Sequence, residues 1–219
     1  MKEVLKRIRE PDNSLSLKRK IINSFLLFLF GLICGIFAKW LDNLSINDSI
    51  SWQHFIGVID LRNILSEIPV WLFLAINISI FSKTSWRAGV NVFLFFLGMT
   101  VSYHIYTILF SGFNPNSYML KWYIITCISP LLAYICWYAK SKSVISMIIS
   151  SLIIAIMISI CLNIGFWYFD ISRLIYLVFL VAIIITLHVN LKNTLLSIII
   201  GLLLSFLIPN INTIIYGLF

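Results

Sequence analysis

The sequence predicts an all-α fold: a polytopic integral membrane helical bundle, most simply of seven transmembrane helices with six as the alternative, and with the N-terminus cytoplasmic. Three observations predict it. The 219 residues are 61% hydrophobic and only 11% charged, with a mean hydropathy of +1.02, whereas a soluble domain is about half apolar and about a quarter charged. Seven apolar runs recur along the chain, each near the roughly twenty residues that cross about 30 Å of hydrocarbon. Basic residues fall on alternate connections between the runs, as the positive-inside rule requires. The first observation excludes a water-soluble enzyme, a secreted disulfide scaffold and a disordered tail.

Residues 1–20 form a basic amphipathic segment ahead of the bundle of 21–219. Lys2, Lys6, Arg7, Arg9, Lys18, Arg19 and Lys20 all precede the first apolar run. Val4, Leu5 and Ile8 share one helical face, so this segment is expected to lie in the plane of anionic lipid headgroups. Pro11-Asp12-Asn13 ends it. Nucleic acid is not an expected partner, because no stacking aromatic accompanies these charges.

The spans are expected at about 21–41, 64–82, 88–110, 119–139, 143–164, 171–191 and 194–216. The first is too long for a signal-peptide core. The loop of about 42–63 carries Trp52, His54, Phe55 and Ile56 and is expected to rest on the outer leaflet. Pro209, Asn210 and Asn212 interrupt the last run, which leaves room for a re-entrant or interfacial tail. With the N-terminus inside, the seven leader residues plus Lys83, Arg87, Lys140, Lys142 and Lys192 are cytoplasmic, twelve of the sixteen Lys and Arg. The richness in Ile, Asn and Lys suggests an AT-rich bacterial genome, hence a bacterial cytoplasmic membrane.

Membrane helices associate where small residues let backbones approach. Gly31 and Gly35 in the first span, Ser151, Ala155 and Ser159 in the fifth, and Ser197, Gly201 and Ser205 in the seventh have that spacing and are expected to form seams of the bundle or of a dimer. Asn77 and Asn91, at similar depth on consecutive spans, are expected to hydrogen-bond across their hairpin. Cys34, Cys127, Cys136 and Cys161 all lie in apolar runs at spacings that fit no zinc or redox motif. No disulfide, metal or cofactor is expected.

Thr100, Tyr103, His104 and Thr107 recur at i, i+3, i+4 and i+7 on one face of the third span. An ionisable residue inside a span is a functional-site hypothesis by default, and an imidazole such as that of His104 can both donate and accept a hydrogen bond. The plainer reading is a histidine held by a neighbouring Tyr or Thr. On the fourth span Trp122, Thr126, Ser129 and Ala133 share a face with Pro130, whose missing donor gives a flexible point. Tyr103, His104, Thr107, Trp122 and Thr126 are therefore the expected substrate-binding set, in the outer half between these two spans. Lys39, Glu67, Lys121, Asp170 and Arg173 mark an outer rim. Asp170 is spaced to pair with Arg173, and Glu67 with Lys39 or Lys121.

No metalloprotease, serine-nucleophile, nucleotide-binding or paired-aspartate signature occurs, so the reading leans away from an enzyme. The leading expectation is binding or transport of a small solute through the outer-half pocket. The alternative is a non-catalytic membrane subunit, immunity factor or scaffold that partners another membrane protein or a second copy of the chain.

Overall fold

The computed structural model describes residues 2–164 and 169–208. Ten helices are described: α1 (Lys2–Ile8), α2 (Leu17–Asp42), α3 (Ser51–Val58), α4 (Leu61–Ser66), α5 (Ile68–Phe81), α6 (Ser85–Tyr106), α7 (Asn116–Cys136), α8 (Val144–Cys161), α9 (Leu174–Leu187) and α10 (Leu191–Ser205). A wider π turn, Thr107–Ser111, prolongs α6, and a 3₁₀ turn, Trp137–Ala139, prolongs α7. Four helical stretches are long and apolar enough to cross a membrane: α2, α6 with its π turn, α7 with its 3₁₀ turn, and α8. Helices α5, α9 and α10 are apolar but shorter, at 14, 14 and 15 residues.

Local chemistry sets the boundaries. Ser16, Thr84, Ser143 and Asn190 each accept a backbone N–H three residues on, capping the first turns of α2, α6, α8 and α10. Pro69 occupies the first turn of α5, where no donor is needed. The run expected at 64–82 is divided, because Glu67 is extended (φ −100°, ψ 164°) and separates α4 from α5. Pro130 cannot donate to the Thr126 carbonyl within α7, and the Ser129 hydroxyl donates to it instead at 2.9 Å.

One element departs from the all-α expectation. Strands β1 (Leu162–Ile164) and β2 (Phe169–Ile171) pair antiparallel, with Leu162 opposite Ile171, Asn163 opposite Asp170 and Ile164 opposite Phe169. Helix α8 therefore stops at Cys161 rather than 164, and α9 starts at Leu174 rather than 171. Ile164, Phe169 and Ile171 suit a strand as well as a helix, and hydropathy does not tell the two apart. The interrupted end of the last run, with Pro209, Asn210 and Asn212, lies outside the described residues.

The small-residue seams are used within the chain. A Cβ on Gly31 would collide with the Phe95 carbonyl, and one on Gly35 with the Met99 carbonyl and Ser102. Gly98 returns the same closeness from α6 against the Phe28 carbonyl, so α2 and α6 meet backbone to backbone. Gly89 packs on the Pro130 carbonyl of α7, where a Cβ would stand 2.9 Å from the oxygen. Across the molecule Ser151, Ala155 and Ser159 of α8 are buried, and Ser197, Gly201 and Ser205 of α10 are buried with them. A Cβ on Gly201 would sit 2.9 Å from Ile154 and 3.1 Å from the Ser151 carbonyl.

The pairing expected between Asn77 and Asn91 is not formed. Asn77 donates to the Phe73 carbonyl and accepts from Thr186 of α9, while Asn91 binds Ser24, Ser82 and Arg87. Their helices meet on other faces, so each amide turns to a third helix. The N-terminal segment is also more embedded than expected. Ile8 is buried, and the Arg9 guanidinium lies 4.3 Å over the Trp137 ring. Arg9 donates to the Trp137 carbonyl at 2.5 Å and the Ile80 carbonyl at 3.0 Å, closing the C-terminal ends of α7 and α5 together. Asp12 pairs with Lys83 at 2.5 Å.

The outer surface is apolar, with Leu174 and Leu191 among many side chains more than two-thirds exposed. A contiguous surface of this kind is one that lipid covers.

Gly35→Ala is expected to destabilise the fold by about 2 kcal/mol, the usual cost of overpacking, because backbone atoms cannot step aside. Gly57→Ala, whose Cβ would meet only Ile46 at an ordinary 3.4 Å, is the matched control. Thermal unfolding of both variants in one detergent checks the difference.

Candidate functional site

The two ends of the bundle differ in chemistry. One end gathers Arg9, Lys83, Trp137 and Ser141. The other gathers Asp42, Asp60 and Glu67, and the candidate site begins there.

Asp42 closes α2, three residues after Lys39. Its Oδ2 accepts from the Tyr103 hydroxyl at 2.6 Å and lies 3.6 Å from the Lys39 ammonium, and its Oδ1 accepts from Ser66 at 3.1 Å. Lys39 is only 8% exposed, and its ammonium lies 5.4 Å from the Tyr103 ring and 5.7 Å from the Phe113 ring. Its charge is therefore met by one carboxylate and two aromatic faces. Tyr118 stands 6.0 Å from Tyr103, ring to ring.

Below this cluster, Trp71 and Trp122 wall a narrow void of about 20 Å³ that reaches Thr100, Tyr103 and Tyr118. The same two tryptophans border a larger apolar cavity of about 190 Å³ between α5, α6 and α7. Leu72 and Ala75 line it from α5, Val92 and Phe96 from α6, and Ile128 and Leu132 from α7. Ile128 and Leu132 are also exposed, so the cavity opens sideways onto the apolar surface of the bundle. At its far end Ser79 donates to the Ala133 carbonyl at 2.6 Å and Ser129 to that of Thr126, leaving neither hydroxyl proton free.

Of the residues expected to bind substrate, Tyr103 and Trp122 line this column. Thr126 backs it, bonded to Thr100 at 3.1 Å and to the Trp122 carbonyl. Thr107 is fully buried and donates to the Tyr103 carbonyl. His104 faces elsewhere: with Nε2 protonated it donates to Asn114 at 2.9 Å, and Nδ1 accepts from Tyr123 at 2.8 Å. A histidine with both nitrogens used by neighbours is held rather than poised. Asp42, Ser66, Trp71 and Tyr118 are the site residues the sequence reading missed. The spacing of Lys39 and Asp42 at i, i+3 was the available signal for one of them.

The rim charges pair differently from expectation. Arg173 bridges Asp60 and Glu67, with Glu67 at 3.4 Å, and Tyr176 donates to Glu67 at 2.5 Å. Lys39 pairs with Asp42. Asp170 lies on β2, exposed, because the hairpin removes the helical turn that would have joined it to Arg173. Lys121 is half-buried on α7. Asp60 holds a left-handed backbone (φ 55°) at the start of α4. Burial by itself raises its pKa. Hydrogen bonds from Asn63 and Arg173, with the charges of Arg173 and Arg62, outweigh that and leave Asp60 below the usual carboxylate range.

Among the described residues, no group of three or more His, Cys, Asp or Glu side chains is arranged to hold a metal ion. No protein-family model matches the chain, and comparison with curated proteins and with solved structures returns no match.

Two outcomes follow from this geometry. Tyr103→Phe removes a hydrogen bond to a carboxylate, expected to cost about 2 kcal/mol in thermal unfolding while the cavity below stays shaped. Asp60→Asn keeps the left-handed backbone accessible but removes the charge that Arg173 meets. Because folding depresses the Asp60 pKa, its stabilisation is present above the ordinary carboxylate range and lost as pH falls through the folded-state value. The variant is thus expected to melt below the wild type at neutral pH, with the gap closing in acid. Paired melting curves across pH check it.

Proposed function

We propose that the chain is a multi-pass protein of a bacterial cytoplasmic membrane that binds a small apolar or amphipathic solute in the cavity where α5, α6 and α7 meet. The observation that carries the reading is the cavity itself: about 190 Å³, walled by Trp71 and Trp122, open sideways and overlain by the polar Asp42–Tyr103–Ser66 cluster. A dry apolar cavity of ~150 Å³ holds a molecule the size of benzene, so an aromatic ring or short branched hydrocarbon fits. A polar substituent on such a solute would point towards Tyr103 and Tyr118. No unpaired carboxylate borders the cavity, so binding needs no coupled ion.

Seven spans and a cytoplasmic N-terminus are part of this proposal. They are supported by the twelve basic residues assigned to the cytoplasmic segments, and by the segment from Ile8 to Asp12 meeting the end of α5 and the α5–α6 and α7–α8 connections at one end of the bundle. The short helices α5, α9 and α10 would then cross with help from snorkelling flanks or local thinning. The alternative of a partner subunit drew on the small-residue seams, and those are occupied by the chain's own helices.

Saturating indole is expected to raise the melting temperature of the wild type in detergent. Ala75→Phe, which fills the cavity, is expected to keep the fold and abolish the shift. An equal shift in both proteins overturns the assignment of the site.

A further inference from the structure

A second site lies at the opposite end, among residues the solute-binding reading does not use. Arg87, in the first turn of α6, is half-buried, and its guanidinium makes three hydrogen bonds, all through Nη2: to the Lys20 carbonyl at 2.5 Å, to Ser24, and to Asn91 at 3.2 Å. Every one of these acceptors is neutral. Its Nη1 and Nε carry no hydrogen-bond partner among the described residues, and no carboxylate approaches the guanidinium. The guanidinium therefore keeps Nε–H on one edge and Nη1–H on the other for an anionic oxygen, and its charge is unmet by any carboxylate among the described residues.

The surroundings say which phosphate. Arg87 borders an open groove of about 380 Å³ between α2 and the α5–α6 connection. Asn23, Lys83 and Asn91 supply polar groups to its lining, Leu26 and Leu27 continue it one turn further along α2, and Phe81 adds an apolar wall at the end of α5. Lys83 is already neutralised by Asp12, so among the described residues of the groove the unmet charge belongs to Arg87. A free anion would have no use for the leucines, and an uncharged lipid would leave the guanidinium unmet. Arg87 lies only two residues into its helix, at the depth of headgroups.

We propose that this groove binds an anionic phospholipid, with Nη1 of Arg87 on a phosphate oxygen and an acyl chain along Leu26 and Leu27. It is a site of fixed stoichiometry, distinct from the diffuse attraction of a basic leader to a charged membrane.

The test is native mass spectrometry of the full chain in mild detergent, titrated with phosphatidylglycerol, phosphatidylcholine or inorganic phosphate. One phosphatidylglycerol is expected to bind at least tenfold more tightly than phosphatidylcholine. Leu26→Trp crowds the groove from an exposed position and leaves the Arg87 hydrogen bonds intact. It is expected to weaken phosphatidylglycerol binding at least fivefold with an unchanged melting temperature. Arg87→Lys, which keeps the charge but loses the guanidinium, is expected to lower the preference for phosphatidylglycerol over phosphatidylcholine. Equal binding of the two lipids overturns the proposal, as does wild-type binding by Leu26→Trp. Inorganic phosphate competing at the affinity of the lipid shows a free-anion site and overturns it too.

Discussion

The approach of α2 to α6 is the constraint on which the rest depends. Gly31 and Gly35 on one helix and Gly98 on the other leave no room for a single β-carbon between backbones. With α2 fixed this closely, the opposite side of α6 is free to take α7 through Gly89 and Pro130, while α5 packs alongside both. The cavity lies where Ala75, Ser79 and Ala133 present small side chains between the larger Trp71, Phe96 and Trp122. Lipid gives helices little hydrophobic reason to associate, so close packing of small residues supplies the specificity that a water-driven core supplies elsewhere.

Much of the fold was legible in the sequence because the bilayer is a demanding solvent. Apolar run length and small-residue spacing report directly on it, and the seams at Gly31, Gly35 and Gly201 follow from those two rules. What was not legible is what depends on rotation about a helix axis. Asn77 and Asn91 share a depth but not a direction, and His104 shares a helix with Tyr103 while turning to Tyr123. The hairpin at 162–171 was missed because Ile and Phe fit strand and helix alike. Pairing partners at the rim depended on that hairpin, since moving the start of α9 to Leu174 turns Arg173 towards Asp60 and Glu67.

Polar groups in the bundle are arranged to leave little unsatisfied. Hydroxyls of Ser79, Ser129, Ser150 and Ser151 each return a hydrogen bond to a helix carbonyl, a common way to hide a hydroxyl in an apolar setting. Charges are confined to the two ends, where Asp42, Asp60 and Glu67 have named partners. The interior between those ends is therefore shaped mainly by van der Waals contact, in keeping with the apolar lining of the cavity between α5, α6 and α7.

The Arg9 clamp has a consequence for how the chain is made. Its two carbonyl partners lie 71 and 128 residues further along. At ordinary translation rates the second emerges on the order of ten seconds after Arg9 itself. Until then only the Ile80 carbonyl is there for Arg9 to meet. The clamp closes only once α7, the third of the four long helices, exists, so Arg9 records its arrival.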